Sequence, residues 1–325
     1  MAGVTDAPFR DIAIQCGADY GVSEMVTSQT NLWQSKKTQP RLKSHFVEKP
    51  KIIQIAGASA DVIRDAAIAS QALHADAIEI NMGCPAKKVC NVLAGSALLQ
   101  NEKLVAEILT SAVNAVEIPV YLKTRLGWDH QTKNILRIAQ LAEDCGIQGL
   151  AIHGRTRSDF YNGHAEYDLI AQVKQLVKIK VFANGDIVTP EKAAEVLRLT
   201  RVDGLYIGRG ALGKPWLFQQ IRDYLGTGYY QEYDKEFILS YMLQHLNLIH
   251  QHYDGIAGVR FARKHIKWYL QANIAVFGVA ETIFEEFAGL DNCESQVEYL
   301  TSLQSSLSLN LESNCKLNLF SAIYK

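Results

Sequence analysis

Short runs of β-branched and other apolar residues recur along the first two-thirds of the chain, and most are followed by a segment of helical spacing. The runs lie at Tyr20–Glu24, Lys51–Gly57, Ala77–Gly83, Pro119–Gly127, Gly149–Arg155, Lys180–Asp186 and Gly204–Gly210. Several are largely apolar, such as Ile52-Ile53-Gln54-Ile55-Ala56, as in strands covered on both faces. Between them, Leu136–Cys145 and Pro190–Thr200 carry the helical period, the latter opening on Thr189-Pro190-Glu191, a cap residue followed by a first-turn proline. Strands alternating with helices predict parallel β/α architecture. After about Tyr230 the pattern turns wholly helical, with Glu236–His252 and Gly258–Gln271 as its main segments.

Nearly every run ends in a polar or glycine-rich cluster: Gly83-Cys84-Pro85, Lys123-Thr124-Arg125, His153-Gly154-Arg155, Asn184-Gly185-Asp186 and Gly208-Arg209-Gly210. A (β/α)8 barrel builds its active site from the loops at the C-terminal ends of its strands, whereas an open doubly wound sheet gathers such residues at one switch point. The expected fold is therefore α/β: a (β/α)8 TIM barrel over residues 1–230, a small all-α domain over 231–300, and a Ser/Leu-biased tail, 301–325, with no assigned role. Seven strands are counted where eight are needed. Met1-Ala2-Gly3-Val4 reads as the end of a truncated first strand, with Thr5-Asp6-Ala7-Pro8 starting the next helix. On this reading the chain begins at the mouth of the barrel.

Composition narrows the classes. With 325 residues, the chain can bury a large core without disulfides or metal staples. The 33 Lys plus Arg nearly balance 34 Asp plus Glu, for a net charge of −1, so a polyanionic partner must be recognised by a local patch. The six cysteines form no C-x-x-C pair, which argues against zinc and thioredoxin-type centres. No signal-like start or membrane-length apolar stretch occurs, which predicts a reduced, cytoplasmic setting and no membrane.

Gly208-Arg209-Gly210-Ala211-Leu212-Gly213 fits G-x-G-x-x-G, yet it follows the last strand rather than the first, so a dinucleotide fold is a weak reading. A phosphate cradle formed with Gly185 and the Arg209 cation fits better, with plain tight turns as the alternative. Lys123 and His153 end apolar strands, where an unpaired charge is costly unless it faces a cleft or a neighbouring carboxylate. Beside a phosphate cradle they point to a phosphorylated, electron-accepting ring. Cys84, turned out of its strand by Gly83 and Pro85 and preceded by Asn81, is a candidate acid or nucleophile. Arg260, Arg263, Lys264 and Lys267 share one helix face opposite Val259, Ala262, Ile266 and Leu270, and no Asp or Glu occurs from Gly255 to Ala280. A solvated face and a phosphate-backbone footprint both fit this stripe.

The segments Met1–Arg10, Asn81–Val89, Ala94–Leu99, His153–Arg157, Ala183–Ile187 and Ile207–Trp216, with Ala262-Arg263-Lys264-His265, resemble the tRNA-dihydrouridine synthases, most of all the bacterial B subfamily. The resemblance implies reduction of the uracil C5–C6 double bond in the tRNA D loop, dependent on FMN and driven by NADPH, with Cys84 donating a proton to C5. Carried motif by motif, it implies that Met1, Ala2, Gln54, Lys123 and His153 meet the flavin ring or ribityl chain. Asn184, Gly185, Asp186, Gly208 and Arg209 would hold its phosphate end. Asn81 and Arg125 would face the uracil, and Arg260, Arg263, Lys264 and Lys267 the tRNA backbone. A monomer is expected. Another flavin barrel of the dihydroorotate-dehydrogenase type, or a non-catalytic RNA-binding protein, would share some of this pattern.

Overall fold

Among the described residues, seven strands follow one another in chain order: β1 Val26–Thr27, β2 Ile52–Ala56, β3 Ala77–Met82, β4 Val120–Arg125, β5 Gly149–His153, β6 Lys180–Asn184 and β7 Gly204–Tyr206. All pair in parallel with the next, in the spatial order β1 to β7. The computed structural model describes residues 1–36, 38–43 and 50–306. Helices Ala60–Ala72, Glu102–Val113, Ile135–Asp144, Asp168–Leu176 and Pro190–Thr200 connect successive strands, giving a TIM-barrel-like α/β unit. Local chemistry sets helix starts: in Ala7–Gln15, Glu102–Val113 and Pro190–Thr200, the cap atoms Asp6 Oδ1, Asn101 Oδ1 and Thr189 Oγ1 accept from the N–H groups of Phe9, Leu104 and Lys192, at 3.1, 3.1 and 3.2 Å.

Two expected strands differ. Residues 20–24 make only an isolated bridge, Val22 to Ile52, and the ladder starts at Val26. Ser23 interrupts it, because its Oγ accepts the Gln54 N–H at 2.9 Å. Met1–Val4, expected as the end of a strand, is instead a turn in which Met1 O accepts from the N–H groups of Val4 and Thr5, each at 3.0 Å. With no ladder to join, these groups are satisfied locally.

Alternate strand residues face opposite sides of the sheet. One set, including Ile53, Ile55, Ile78, Ile80, Leu122 and Ile152, is buried in a continuous core with helix residues such as Ile63, Ile108 and Ile138. The other set carries Gln54, Glu79, Asn81, Lys123, Arg125, His153 and Asn184. The hydrophobic core thus lies between strands and helices, and the inner face of the sheet is polar.

The chain divides into two compact units, Met1–Ala211 with Trp216–Tyr230, and Leu212–Pro215 with the chain from Gln231 onward. In the second, helices Lys235–His252, Gly255–Ala272 and Ala280–Gly289 pack through Met242, Leu246, Ile249, Val259, Ile266 and Phe287. The first is capped by Asp234, whose Oδ1 accepts from the Phe237 N–H at 2.9 Å. Residues 293–306 are also helical, so the first part of the Ser/Leu-biased segment continues a helix; its remainder, 307–325, lies outside the described residues. Among the described residues no helix is long and apolar enough to cross a membrane.

Candidate active site

Strand register assembles the polar face. Asn81 stands opposite Lys123, Arg125 opposite His153, His153 opposite Asn184, and Asn184 opposite Tyr206, so residues far apart in sequence line the C-terminal ends of neighbouring strands. Lys123 Nζ donates to Asn184 Oδ1 at 2.9 Å, and Asn184 Nδ2 donates to Tyr206 O at 2.7 Å. Burial pushes the Lys123 ammonium down to about 8, against the opposing pull of Glu79.

Cys84 stands two residues beyond the end of β3. The Asn81 carboxamide closes the turn, its Oδ1 accepting from the N–H groups of Gly83 and Cys84 at 3.0 and 2.9 Å. On the other side the Cys84 carbonyl accepts from Ser96 Oγ and N at 2.9 and 3.2 Å. Gly95 makes that approach feasible: with φ +61°, a Cβ there would stand 2.8 Å from Cys84 O. The thiol is free and partly exposed, while Cys90 is buried behind it, its Sγ 3.6 Å from Cys84 O.

Arg125 is buried, and its guanidinium is committed to main-chain carbonyls: Nε to Gly83 O at 2.8 Å, Nη1 to Thr156 O and Phe160 O at 2.7 and 2.9 Å. It ties the cysteine turn to the loop after β5. Burial drives the His153 imidazole down to about 2, helped by Lys123, Arg125, Arg155 and Arg209, so the ring is neutral at physiological pH. Arg155 Nη1 lies 3.2 Å from His153 Nε2; because arginine only donates, Nε2 accepts and the ring proton sits on Nδ1.

Arg155 Nη2 donates to Asp186 Oδ2 at 2.8 Å, and the same oxygen accepts the Ala165 N–H at 2.8 Å. The Gly185 carbonyl accepts from Tyr167 Oη at 2.5 Å. Gly210 lets the loops after β6 and β7 meet, since a Cβ there would stand 2.1 Å from Ile187 O. The exposed Arg209 lies 4.5 Å over the Tyr161 ring, and the Met1 side chain lies alongside Gly208. Ala2 is exposed in the N-terminal turn. The Met1 ammonium, pushed down to about 6 chiefly by burial, donates to Thr5 Oγ1 at 2.6 Å.

A sequence model described as dihydrouridine synthase matches residues 1–304. The chain belongs to the dihydrouridine synthase family. It is 54% identical over 274 residues to tRNA-dihydrouridine synthase B of Pseudomonas syringae pv. tomato, covering 83% of this chain and 80% of that protein. It is also 47% identical over 301 residues to the protein of the same name from Vibrio parahaemolyticus, covering 92% of each. Among solved structures it resembles histamine dehydrogenase from Rhizobium sp. 4-9, with TM-score 0.54 and 12% identity, over 76% of this chain and 47% of that one. A 2-naphthoyl-CoA reductase complex matches with TM-score 0.53 and 12% identity, over 67% of this chain and 46% of that one. The chain thus spans about half the length of these two structures, which share its barrel fold.

Within this dihydrouridine synthase, register and loops bring Gln54, Asn81, Cys84, Lys123, Arg125, His153, Asn184, Gly185, Asp186, Gly208 and Arg209 to one end of the first unit. The basic stripe belongs to the second unit. There Arg260, Lys264 and Lys267 are exposed, whereas Arg263 is half-buried and its Nη2 donates to Leu290 O at 2.9 Å. Lys264 lies 4.8 Å over the Phe261 ring and Lys267 5.1 Å over that of Phe284. Sequence reasoning missed Arg155, Glu79 and Tyr161. Glu79 carried the signal that singled out Lys123, a charge within an apolar run, while the role of Arg155 depends on a partner 31 residues away.

Proposed function

We propose that this enzyme reduces a D-loop uridine of tRNA to 5,6-dihydrouridine, with FMN as its flavin, NADPH as the reductant and Cys84 as the proton donor. The observation that carries the reading is the placement of Cys84: a free, partly exposed thiol, held by its main chain at the end of β3 beside the strand bearing Lys123. The relatives named tRNA-dihydrouridine synthase B support the substrate.

The donor set fits a phosphorylated flavin. Lys123 offers an ammonium with one side-chain acceptor, His153 an Nδ1–H, and the close-packed Gly208–Gly210 turn presents Arg209. FMN, when bound, would supply the hydride for uracil C6. Lys123 and His153 hold positive charge and a donor at the ring, while Gly185, Gly208 and Arg209 hold the phosphate and Asn184 orients Lys123. Asp186 acts through Arg155, to which its carboxylate is committed. Met1 and Ala2 flank the Gly208 side. Gln54 and Asn81 order the cysteine turn and the base, and Arg125 keeps that turn in place. The Cys84 thiol delivers its proton to C5. The target base must leave its stack to reach the thiol, which costs least in an unpaired loop.

Residues 1–230 form the FMN-binding catalytic domain and 231–300 the tRNA-binding domain, whose exposed Arg260, Lys264 and Lys267 meet phosphates. The enzyme works as a cytoplasmic monomer. The test is reduction of unmodified tRNA with NADPH, comparing wild type with Cys84→Ala: turnover should fall by ~100-fold or more. Full turnover in Cys84→Ala would remove the assigned proton donor. Reduction of free orotate or uracil without tRNA would move the enzyme to another pyrimidine class.

A further inference from the structure

We propose that Glu79 is a positioning residue for the cysteine turn, setting the orientation of Gln54 and Asn81 and through them the backbone of Gly83 and Cys84. The inference rests on the reading of Cys84 as proton donor. Glu79 sits on the inner face of β3, only 1% exposed, in the apolar run Ala77-Ile78-Glu79-Ile80. Its Oε1 accepts from Gln54 Nε2, Gln54 Oε1 accepts from Asn81 Nδ2 at 2.8 Å, and Asn81 Oδ1 accepts from the two N–H groups of the turn.

This relay has one consistent direction. Backbone N–H groups only donate, so they turn the Asn81 carbonyl toward Cys84 and its NH2 toward Gln54. Gln54 then answers with its carbonyl, which points its own NH2 at Glu79. A carboxyl oxygen can terminate the series because it accepts. Without that acceptor the Gln54 NH2 is left buried and unpaired, and an amide flip to relieve it would set two NH2 groups against each other. Asn81 would then lose its hold on the turn.

The turn has an independent anchor in Ser96, which donates to the Cys84 carbonyl from both Oγ and N. Removing Glu79 therefore misdirects the thiol rather than dismantling the loop. The effect belongs in the chemical step, with little in tRNA binding, because the exposed Lys and Arg residues that would meet phosphates lie elsewhere in the chain.

The experiment compares flavin-loaded wild type, Glu79→Gln and Glu79→Leu, reading kcat and KM for unmodified tRNA together with the rate of Cys84 alkylation by iodoacetamide in the absence of tRNA. Glu79→Leu should lower kcat by about 10–100-fold, as loss of an outer partner of a reactive group typically does, with KM changed by less than about threefold. Its alkylation rate should differ from wild type by a similar factor. Glu79→Gln retains a carbonyl acceptor and should restore both to near wild type. If Glu79→Leu does not fold, Glu79→Ser takes its place, being too short to reach Gln54 yet able to bind water. Wild-type kcat and alkylation in the folded non-acceptor variant would overturn the proposal, as would an equal loss in Glu79→Gln. Should wild type itself fail to reduce tRNA, the functional reading fails instead, and the alkylation comparison still decides whether Glu79 positions the thiol.

Discussion

Arg155 and Asp186 meet at 2.8 Å and fasten the loop after β5 to the loop after β6. The guanidinium is nearly inaccessible and also donates to the carbonyls of Asn162 and Gly163 at 2.9 and 2.7 Å. Asp186 adopts φ +52°, an uncommon conformation for a residue other than glycine, and the ion pair supports it there.

Asp186→Ala leaves a buried guanidinium without its counter-charge and should cost about 2–3 kcal/mol, somewhat less than a fully buried pair because Asp186 is partly exposed. Burial raises the Asp186 carboxyl, but hydrogen bonds from Arg155 and Ala165 outweigh it and leave the group below the usual range. A depressed folded pKa gives stability that is complete above the unfolded value of about 3.9 and is lost as pH falls through the folded one. Urea denaturation at pH 7 and pH 3 should therefore show the gap between wild type and variant narrowing in acid.

Lys123 should show the same pH slope in a higher window, but as a destabilising group. Its folded pKa of about 8 lies below the unfolded value of about 10.4, so the unfolded chain binds the proton more tightly and stability rises with pH between them. Lys123→Met should stabilise the flavin-free protein by roughly 2 kcal/mol at pH 7, with the advantage shrinking toward pH 10. The same variant should bind FMN at least about tenfold more weakly, since a charge-assisted hydrogen bond is lost. A variant that is both more stable and undiminished in FMN affinity would contradict this.

Gly210→Ala pushes a methyl group into Ile187 O and must force the loops after β6 and β7 away from each other. FMN affinity, followed by quenching of flavin fluorescence, should weaken by about tenfold or more, from a loss of some 1.4 kcal/mol. The shift in thermal midpoint should be modest, because the strain falls on two loops and most of the hydrophobic core lies away from them.

Lys264→Ala and Lys267→Ala should each reduce the slope of log K against log salt for tRNA by about 0.7–0.9, one phosphate contact apiece, and leave FMN binding as it was. Arg263→Ala should also lower stability, because that side chain holds the Leu290 carbonyl. Unchanged slopes would make the stripe a solvated surface.

The strand–helix alternation was legible because both covered faces and capped starts leave local marks: Pro190–Thr200 begins at a Thr cap and ends where Arg201 turns left-handed. The run at 20–24 misled because Ser23, one hydroxyl, takes a ladder hydrogen bond. Among site residues, Lys123 and His153 stood out as charges closing apolar runs. The commitment of Arg125 to carbonyls, and that of Asp186 to Arg155, could not be read, since neither partner lies nearby in sequence. Which neighbours meet is decided by strand register and loop closure, not by local spacing.

The alternation of the strands has one more consequence. Shifting any of β2 to β5 by a single residue would carry isoleucine or leucine to the inner face and place Gln54, Glu79, Lys123 or His153 among the apolar helices. Each face thus proofreads the other during folding: the arrangement that hides the oily residues is also the one that brings the reactive ones into line, so a misaligned barrel forfeits both at once.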